Sequence, residues 1–308
     1  MRTSVVVATF DRPALIERFL RDLAQRDLPA GVDVLVVENG PRRGVDEICR
    51  ASALGGRLRY LYSPISGKSA ALNMAVASTD ADFIVFFDDD VILAPDIERV
   101  YVDAAGRHGV GHFFGGPLAV EAEVACPAHL APHLPRSASG WSLGDREVEV
   151  PKDRFEFFFG ANWAAFRADL EQAGGFAEDI GVAGDKRSGV GEEFEIQRRL
   201  LETGARPVYL PEALVRHPVP AECYAWNWVW RRRYRHGVTD WKIDPKYRTP
   251  SRSIFGWPLW LIRMIVEKRL KRALLFLRGA SLAERTNLAM QEAYLAGLLH
   301  AARDDRRR

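Results

Sequence analysis

Cysteine is scarce in this chain of 308 residues, and no apolar run is long enough to cross a bilayer. The three cysteines, Cys49, Cys126 and Cys223, lie far apart and form no CxxC or Cys/His cluster. A disulfide framework and a zinc site are therefore not expected, and a reducing cytoplasm fits. The N-terminus enters an apolar segment without the parts of a secretory signal, so none is predicted.

Charge is unevenly distributed along the chain, although the formal net charge is only +2. Residues 226–308 carry 19 Lys and Arg against 7 Asp and Glu, a net of +12. Residues 1–225 carry the opposite balance, with a net of −10. We therefore expect an acidic part and a basic part with different roles.

The first half of the chain alternates short apolar runs with amphipathic segments. Residues 4–8, 33–37, 57–62 and 82–87 read as strands, and 68–77, 95–107 and 192–203 read as helices. Asp11 can cap a further helix, near whose first turn Pro13 lies. This alternation predicts an α/β fold with a mostly parallel sheet flanked by helices. Ligands of such sheets bind beyond the carboxyl ends of the strands.

The most specific motif is the run Asp88, Asp89 and Asp90, which follows the apolar segment 83–87. Three adjacent carboxylates repel each other unless a cation neutralises them, and hard divalent cations favour carboxylate oxygens. The pattern therefore indicates a Mg²⁺ or Mn²⁺ site at a strand end. A solvated acidic turn is the alternative.

Six characteristic segments occur in order from about residue 3 to about residue 217. They are VVVATFDRPALIERFLRDL, VLVVENG, SGKSAALNMAV, FFDDDVILAPD, FFFGANWAAFRADLEQAGGF and GEEFEIQRRLLETG. In this order they resemble the family 2 glycosyltransferases of the GT-A fold, and the acidic run resembles the family's DxD motif. Each of the other segments alone is a weak to moderate signal, and their order makes the resemblance specific.

The resemblance implies a nucleotide-sugar site. Thr9, Asp11 and Glu38 match positions that hold the base and ribose, where carboxylates accept hydrogen bonds. The family commonly has Asp at the position of Glu38. Lys68 and Asn73 match the donor-contacting segment. A plain helix cap is the alternative for Asp11, and a surface lysine is the alternative for Lys68.

The same resemblance implies a metal site. Asp90 would bind the cation, and Asp88 would face the ribose and the water shell of the cation. Asp89, the middle member of the run, is assigned to donor binding. His217 follows a late strand, where some metal-dependent relatives place a third ligand. A structural histidine is the alternative reading of His217.

A general base is implied at the pair Glu192 and Glu193, which matches the family's Glu-Asp pair. The second acid of that pair takes the proton of the acceptor hydroxyl as it attacks the anomeric carbon. Glu193 is one methylene longer than the usual Asp, so Glu192 and Glu195 stay open as bases. A charged helix face is the alternative, because acids favour a helix N-terminus.

The acceptor pocket is implied at Gly160, Asn162 and Trp163, which we expect to follow an aromatic strand. The Asn162 amide is a candidate reader of hydroxyl groups. A loop cap is the alternative for Asn162.

The tail is basic and aromatic. Its segment 226–235, WNWVWRRRYR, could bind nucleic acid, but no nucleic-acid fold accompanies it, so no such partner is expected. Segment 254–266 contains Arg263 and is about 13 residues long, so it is too short to span a bilayer. Trp257, Trp260 and Leu261 suit an anionic membrane surface, and packing on the catalytic domain is the alternative.

Together these features predict a GT-A-like catalytic domain over 1–225, with a nucleotide-sugar half of about 1–115 and an acceptor half of about 116–225. A helical extension follows over 226–308. The predicted activity is metal-dependent, inverting sugar transfer to a glycan or lipid-linked acceptor in polysaccharide biosynthesis. The predicted location is the cytoplasm, or the inner face of the membrane as a peripheral protein.

Two alternatives to sugar transfer share features with this sequence. An aspartate-nucleophile phosphatase also has a DxD motif, but it would want Thr or Val at Ile92 and the motif on its first strand. The second alternative is an inactive scaffold that only binds a nucleotide sugar. The intact acid pairs argue against it.

Overall fold

The computed structural model describes residues 1–180, 190–248, 253–254 and 257–305. The chain forms two compact units. The first holds Met1–Glu121, Gly140–Asp185 and Glu192–Pro218. The second holds Ala122–Ser139, Lys186–Gly191 and Val219–Arg308. The second unit thus takes a stretch from the middle of the chain as well as the tail, and the predicted boundary near residue 225 stays a prediction.

The described residues contain thirteen strands and eleven helices, apart from short 3₁₀ turns. The strands are β1 Thr3–Thr9, β2 Val32–Asn39, β3 Leu58–Ser63, β4 Phe83–Asp88, β5 Ile92–Leu93, β6 His112–Gly115, β7 Leu118–Ala122, β8 Val148–Glu149, β9 Asn162–Phe166, β10 Arg206–Tyr209, β11 Val215–Val219, β12 Ser253–Ile254 and β13 Trp257–Pro258. The helices are α1 Pro13–Ala24, α2 Val45–Ala51, α3 Lys68–Ser78, α4 Ile97–His108, α5 Arg136–Ser139, α6 Arg167–Gln172, α7 Glu192–Glu202, α8 Trp226–Ile243, α9 Pro245–Arg248, α10 Leu259–Leu277 and α11 Leu282–Asp304.

The first unit is built on an eight-stranded sheet of order β3-β2-β1-β4-β9-β6-β10-β8. Strands β3, β2, β1 and β4 are parallel, and β9 runs antiparallel to both of its neighbours. Alternate residues of β4 enter two different core clusters, with Phe83 in one and Ile84 in the other. A central strand covered on both faces needs such a continuous apolar run. The predicted mostly parallel sheet is confirmed.

A small second sheet of order β5-β11-β7 lies beside the strands that carry the site. Its strand β11 contains His217, and β5 begins two residues after Asp90. The predicted cap of α1 by Asp11 is wrong, because Arg12 is the N-cap residue and no side chain caps the helix. Asp11 instead has a left-handed backbone with φ of 54°, a conformation that Asp tolerates better than most residues. Pro13 begins the helix, where its missing N–H costs little.

Two long helices, α8 and α11, form the body of the second unit. A Cβ atom built on Gly237 would lie 2.1 Å from the Tyr294 carbonyl oxygen, and one built on Gly297 would lie 2.0 Å from the Tyr234 carbonyl oxygen. Glycine at both positions therefore lets the two backbones touch. Tyr294 also donates to Asp240 at 2.6 Å.

The three residues predicted to insert into a membrane pack within this unit instead, one of them buried and two partly buried. Leu261 is fully buried in a cluster with Val238 and Leu298, and Trp257 and Trp260 pack against the same cluster. Helix α10 presents this face to α11, so the aromatic side chains are used for packing. None of the helices that the structure describes combines the length and the apolar content needed to cross a bilayer.

Candidate active site

Several of the predicted site residues come from the carboxyl ends of adjacent parallel strands. In the sheet register Thr9 of β1 lies beside Glu38 of β2, and Ala8 lies beside Asp88 of β4. Parallel strands end at one edge, so these side chains share one region of the surface. The order of strands, which no local pattern specifies, brings them together.

At the end of β2, Glu38 is buried and has two partners. Its Oε1 accepts from the Arg43 backbone N–H at 2.5 Å, and its Oε2 accepts from the Tyr60 hydroxyl at 2.5 Å. Burial first, and then this hydrogen bond to Glu38, raise the pKa of Tyr60. Arg43 also donates through Nε to Asp11 at 2.6 Å. A small network of polar and charged groups thus lies on the side of the site where the nucleotide base is expected.

Lys68 joins the acids of β4 to those of α7. Its Nζ lies 2.6 Å from Asp88 Oδ1 and 3.2 Å from Glu192 Oε1. Burial alone would lower the pKa of Lys68, but Asp88 and the two acids of α7 outweigh it and raise that pKa above its ordinary value. Lys68 therefore stays cationic between the predicted donor carboxylate and the predicted base pair. It lies at the start of α3, after Gly67.

The middle acid of the run, Asp89, is turned into the protein. Its side chain is fully buried, accepts from the Thr9 hydroxyl at 2.6 Å and lies 3.2 Å from Arg12 Nη2. Burial raises the pKa of Asp89 to about 6, although Arg12 and Thr9 act in the opposite direction. Thr9 and Asp89 therefore bond to each other here, and their assignments to the donor stay predictions.

Asp90 and Asp88 are the acids of the run that reach solvent, with side chains 26% and 24% exposed. Arg12 Nη1 donates to Asp90 Oδ2 at 2.8 Å. His217 Nε2 lies 3.8 Å from Asp90 Oδ1. Burial would raise the pKa of Asp90, but His217 and Arg12 outweigh it and hold that pKa below its usual range.

This arrangement fits a hard divalent cation. Asp90 Oδ1 is buried and makes no hydrogen bond with the residues that the structure describes. In that part of the chain no three His, Cys, Asp or Glu side chains are arranged to hold a metal ion by themselves. Mg²⁺ usually takes one or two protein carboxylates and completes its shell with phosphate oxygens and water. Asp90 and Asp88 supply that number of ligands.

Glu193 lies on the first turn of α7 against Gly160. A Cβ atom built on Gly160 would lie 3.1 Å from Glu193 Cδ and 3.2 Å from its Cγ. Gly160 therefore leaves the space in which the Glu193 side chain lies. Glu193 is partly exposed and Glu192 is buried, so Glu193 is the better placed of the pair to meet an acceptor.

The third acid of this turn, Glu195, is held by Arg199. Arg199 Nε donates to Glu195 Oε1 at 2.8 Å, and Nη2 donates to Oε2 at 2.6 Å. Arg199 also donates to the carbonyl oxygens of Ala173 and Gly175. Both oxygens of Glu195 are thus engaged in fixing a neighbouring loop, which favours Glu193 as the base.

The side-chain amides of two predicted ligand-binding residues form hydrogen bonds with other groups of the protein. Asn73 donates to the Phe176 carbonyl oxygen at 2.9 Å and accepts from the Phe176 N–H at 2.8 Å. Asn162 is fully buried, donates to the carbonyl oxygens of Pro117 and Ala213, and accepts from Tyr101. Each amide therefore has its partners in the protein, so a contact with sugar would require these bonds to break.

The predicted strand before Gly160 is wrong, because β9 begins at Asn162 itself. The segment before β9 turns, with the Asn162 N–H bonded to the Phe159 carbonyl oxygen at 2.9 Å. Trp163 is buried and stacks on Phe86 with ring centroids 4.7 Å apart. Trp163 is therefore part of the sheet core.

Arg12 is the residue of the site that the sequence analysis missed. It lies 77 or 78 positions from its partners, and only the pairing of β1 with β4 brings it to them. The one sequence signal is its position three residues after Thr9 in the loop that follows β1.

The strand order, with an acidic run at the end of the central strand β4, is that of the GT-A fold. A profile of the family described as "Glycosyltransferase like family 2" matches residues 1–239. The chain therefore belongs to this family and is a glycosyltransferase. The family match excludes the aspartate-nucleophile phosphatase. The acidic run begins at the last residue of β4, the fourth strand of the chain, as the sequence predicted.

Two characterised relatives are similar in sequence. The succinoglycan biosynthesis protein ExoM of Rhizobium meliloti is 27% identical over 257 residues, which is 79% of this chain and 75% of the relative. The pre-mycofactocin glycosyltransferase of Mycobacterium tuberculosis is 28% identical over 220 residues, which is 67% of this chain and 41% of the relative.

One solved structure supports the fold over nearly the whole chain. The mannosyltransferase PcManGT from Pyrobaculum calidifontis, in complex with GDP-Man and Mn²⁺, has a TM-score of 0.59 and 20% sequence identity. The match covers 99% of this chain and 86% of that one. The GT-A fold predicted from the sequence is confirmed.

Proposed function

We propose that this chain moves a sugar from a nucleotide-diphosphate sugar to an acceptor hydroxyl, with a divalent cation at the β4 acids. The observation that supports this best is the position of Lys68, which contacts both Asp88 and Glu192. The ammonium group of Lys68 thereby links the donor side of the site to the acids proposed to serve the acceptor.

Asp90 and Asp88 are the proposed cation ligands, and His217 is a further candidate through its approach to Asp90. When bound, Mg²⁺ or Mn²⁺ would neutralise the diphosphate as it leaves. Glu38, Asp11 and Thr9 would position the nucleoside. Thr9 and Asp89 would keep the end of β4 in place through the hydrogen bond that they form.

Glu193 is the proposed general base. As the acceptor oxygen attacks the anomeric carbon, its proton passes to the Glu193 carboxylate, and the bond from the anomeric carbon to the diphosphate oxygen breaks. Attack from the side opposite the diphosphate inverts the anomeric centre in one step. Glu192 would keep Lys68 in position, since it is buried and bonded to it.

The proposed acceptor is a glycan or lipid-linked intermediate of polysaccharide biosynthesis. The similarity to a succinoglycan biosynthesis protein supports this class. Gly160 would line the acceptor pocket beside Glu193, with Asn162 and Trp163 supporting it from the core.

The proposal is tested by titrating nucleoside diphosphates into the protein by calorimetry, with Mn²⁺ and with EDTA. We expect at least one nucleoside diphosphate to bind with the cation and to bind much more weakly in EDTA. The same affinity in EDTA would contradict the metal assignment. Release of free sugar from the matching donor would then distinguish an active enzyme from a scaffold that only binds.

A further inference from the structure

Helix α10 carries apolar side chains on two opposite faces. Leu261 and Ile265 lie on the face that packs into the core of the second unit. On the other face, Val266, Leu270, Leu274 and Leu277 follow each other at steps of four, four and three residues, and all four are exposed. Steps of three and four place side chains on one helix face. The exposed set, called here the α10 stripe, extends over about 17 Å of helix.

The stripe is most exposed at its C-terminal end. Leu270 is 63% exposed and Leu277 is 79% exposed. Phe276, next to Leu277, is 77% exposed, and Leu282, after the turn into α11, is 60% exposed. Large apolar side chains grouped in this way on a surface mark an interaction site, whereas single exposed ones do not.

Cations lie on or beside the α10 stripe. Over residues 259–278 the helix and its last turn carry one acid, Glu267, and six basic residues. Two of the basic residues, Lys268 and Arg272, lie on the Leu261 face, where Arg272 pairs with Glu292 of α11 at 3.0 Å. The four near the stripe are Arg263, Arg269, Lys271 and Arg278.

We propose that the α10 stripe docks this protein on the surface of an anionic lipid bilayer. The apolar side chains would enter the boundary between headgroups and acyl chains, while the cations pair with lipid phosphates. The helix would lie in the plane of the interface.

A bilayer matches this surface better than another protein does. A second copy meeting the first through the α10 stripe would bring the four cations near the stripe against the same four cations, which repel. An acidic protein would have to offer both a long apolar groove and a surrounding acidic rim. An anionic membrane offers an apolar interior and acidic headgroups together, and it needs no groove of matching shape.

The proposal differs from the sequence prediction in the residues that insert. Leu261 is buried in the core and Trp257 and Trp260 are partly buried against it, whereas the stripe lies on the side of α10 opposite Leu261. It also stands apart from sugar transfer, because docking needs no donor, metal or acceptor.

Co-sedimentation with lipid vesicles tests the docking surface. The vesicles are phosphatidylcholine alone, or phosphatidylcholine with about one third phosphatidylglycerol, at about 50 mM and about 500 mM salt. We expect the full chain to bind the anionic vesicles at low salt, and to bind at least about tenfold more weakly to neutral vesicles or at high salt.

Two variants separate the apolar and the electrostatic contributions. The double variant Leu274→Ser, Leu277→Ser removes exposed apolar area, and the triple variant Arg269→Gln, Lys271→Gln, Arg278→Gln removes charge. Each should lower the affinity for anionic vesicles at least about tenfold. The matched control Val110→Ser, Val124→Ser removes two apolar side chains that are 63% and 45% exposed elsewhere, and it should bind as the wild type does.

Thermal denaturation and nucleotide binding of each variant show whether it is folded. Wild-type protein that ignores anionic vesicles at low salt would overturn the proposal. So would wild-type affinity in either variant. A change of oligomeric state in the double variant, measured by light scattering, would assign the stripe to a protein partner and would overturn it too.

Discussion

The carboxylates after β4 and the cations of α10 are both clusters of like charge, but their surroundings differ. Each carboxylate of the first cluster has a cation within reach, since Lys68 contacts Asp88 and Arg12 contacts Asp89 and Asp90. Four of the cations of α10 instead lie on or beside exposed apolar side chains. Charges that are buried must be paired, whereas charges in water need no partner in the fold. The first cluster therefore has the fixed geometry that the proposed sugar transfer needs, and the second has the exposed surface that the proposed docking needs.

The largest effect is expected at Glu193. If the acids of the first unit perform the chemistry, Glu193→Gln should lower turnover by roughly 10²–10⁴-fold, because it removes the proton acceptor and keeps the shape. Donor affinity should stay close to that of the wild type. Steady-state transfer kinetics and calorimetry measure the two quantities.

Glu202→Gln is the matched control for Glu193→Gln, since Glu202 lies at the far end of α7 and pairs with Arg198. It should keep wild-type turnover. Wild-type turnover in Glu193→Gln would show that Glu193 is not the base, and Glu192 would be examined next.

A second effect is expected at Asp90. Asp90→Asn removes the charge of the proposed metal ligand, so the affinity for a nucleoside diphosphate in Mn²⁺ should fall by about 10–100-fold. The weak affinity in EDTA should not change. Calorimetry in both conditions is the measurement, and Asp27→Asn, at a side chain that is 95% exposed, is the control. An equal fall in EDTA would mean that Asp90 serves the fold or the nucleotide and not the metal.

The sequence predicted the sheet well because its strands are buried on both faces. Strands β1, β2 and β4 are continuous apolar runs, and their ends place Thr9, Glu38 and Asp88. It could not predict the partners of Arg12 and Asn162, which lie far away in the chain. Neither a motif nor a period encodes such distant contacts.

In the second unit, the local pattern could not predict which face of helix α10 is buried. Helix α10 is apolar on two sides, so periodicity alone cannot tell which side packs. Leu261 is buried while Leu277 is exposed, and only the position of α11 distinguishes them.

A smaller effect is expected at Gly160. In Gly160→Ala the new methyl group would press on Glu193 Cδ, and that side chain would have to move by a few tenths of an ångström. Turnover should fall by about tenfold or less, with donor affinity unchanged, because the base is displaced while the nucleotide site is not. Gly106→Ala in α4 meets no atom within 4 Å and is the control. Equal turnover in both variants would show that the position of Glu193 is not critical.

Arg12 should have a milder influence on the cation. Because it pairs with Asp89 and Asp90, it competes with a bound metal for the same carboxylates. Arg12→Gln should raise the affinity for Mn²⁺ alone by about two- to fivefold, the range of a partly exposed ion pair. Paramagnetic resonance of free Mn²⁺ measures it. Arg43→Gln, which loses a pair with Asp11, is the control. An unchanged or weaker Mn²⁺ affinity in Arg12→Gln would contradict the competition.

The smallest effect concerns the stability of the second unit in acid. Burial, together with Arg232 and Arg233, lowers the pKa of His236 to about 3. Unfolded histidine has a pKa near 6.5, so between about pH 6.5 and pH 3 the unfolded chain binds a proton that the folded chain refuses. Stability should therefore fall as the pH drops through this window, and His236 should add no pH dependence above it.

Tryptophan fluorescence reports mainly on this unit, because six of the eight tryptophans lie in it. The melting temperature should drop by on the order of 5 °C between pH 7 and pH 5 in the wild type, and by less in His236→Gln. His129→Gln, in the same unit, is the matched control for the loss of an imidazole. If His236→Gln loses stability in acid as steeply as the wild type, then other groups cause the acid sensitivity, and the pKa of His236 is not lowered in the folded unit.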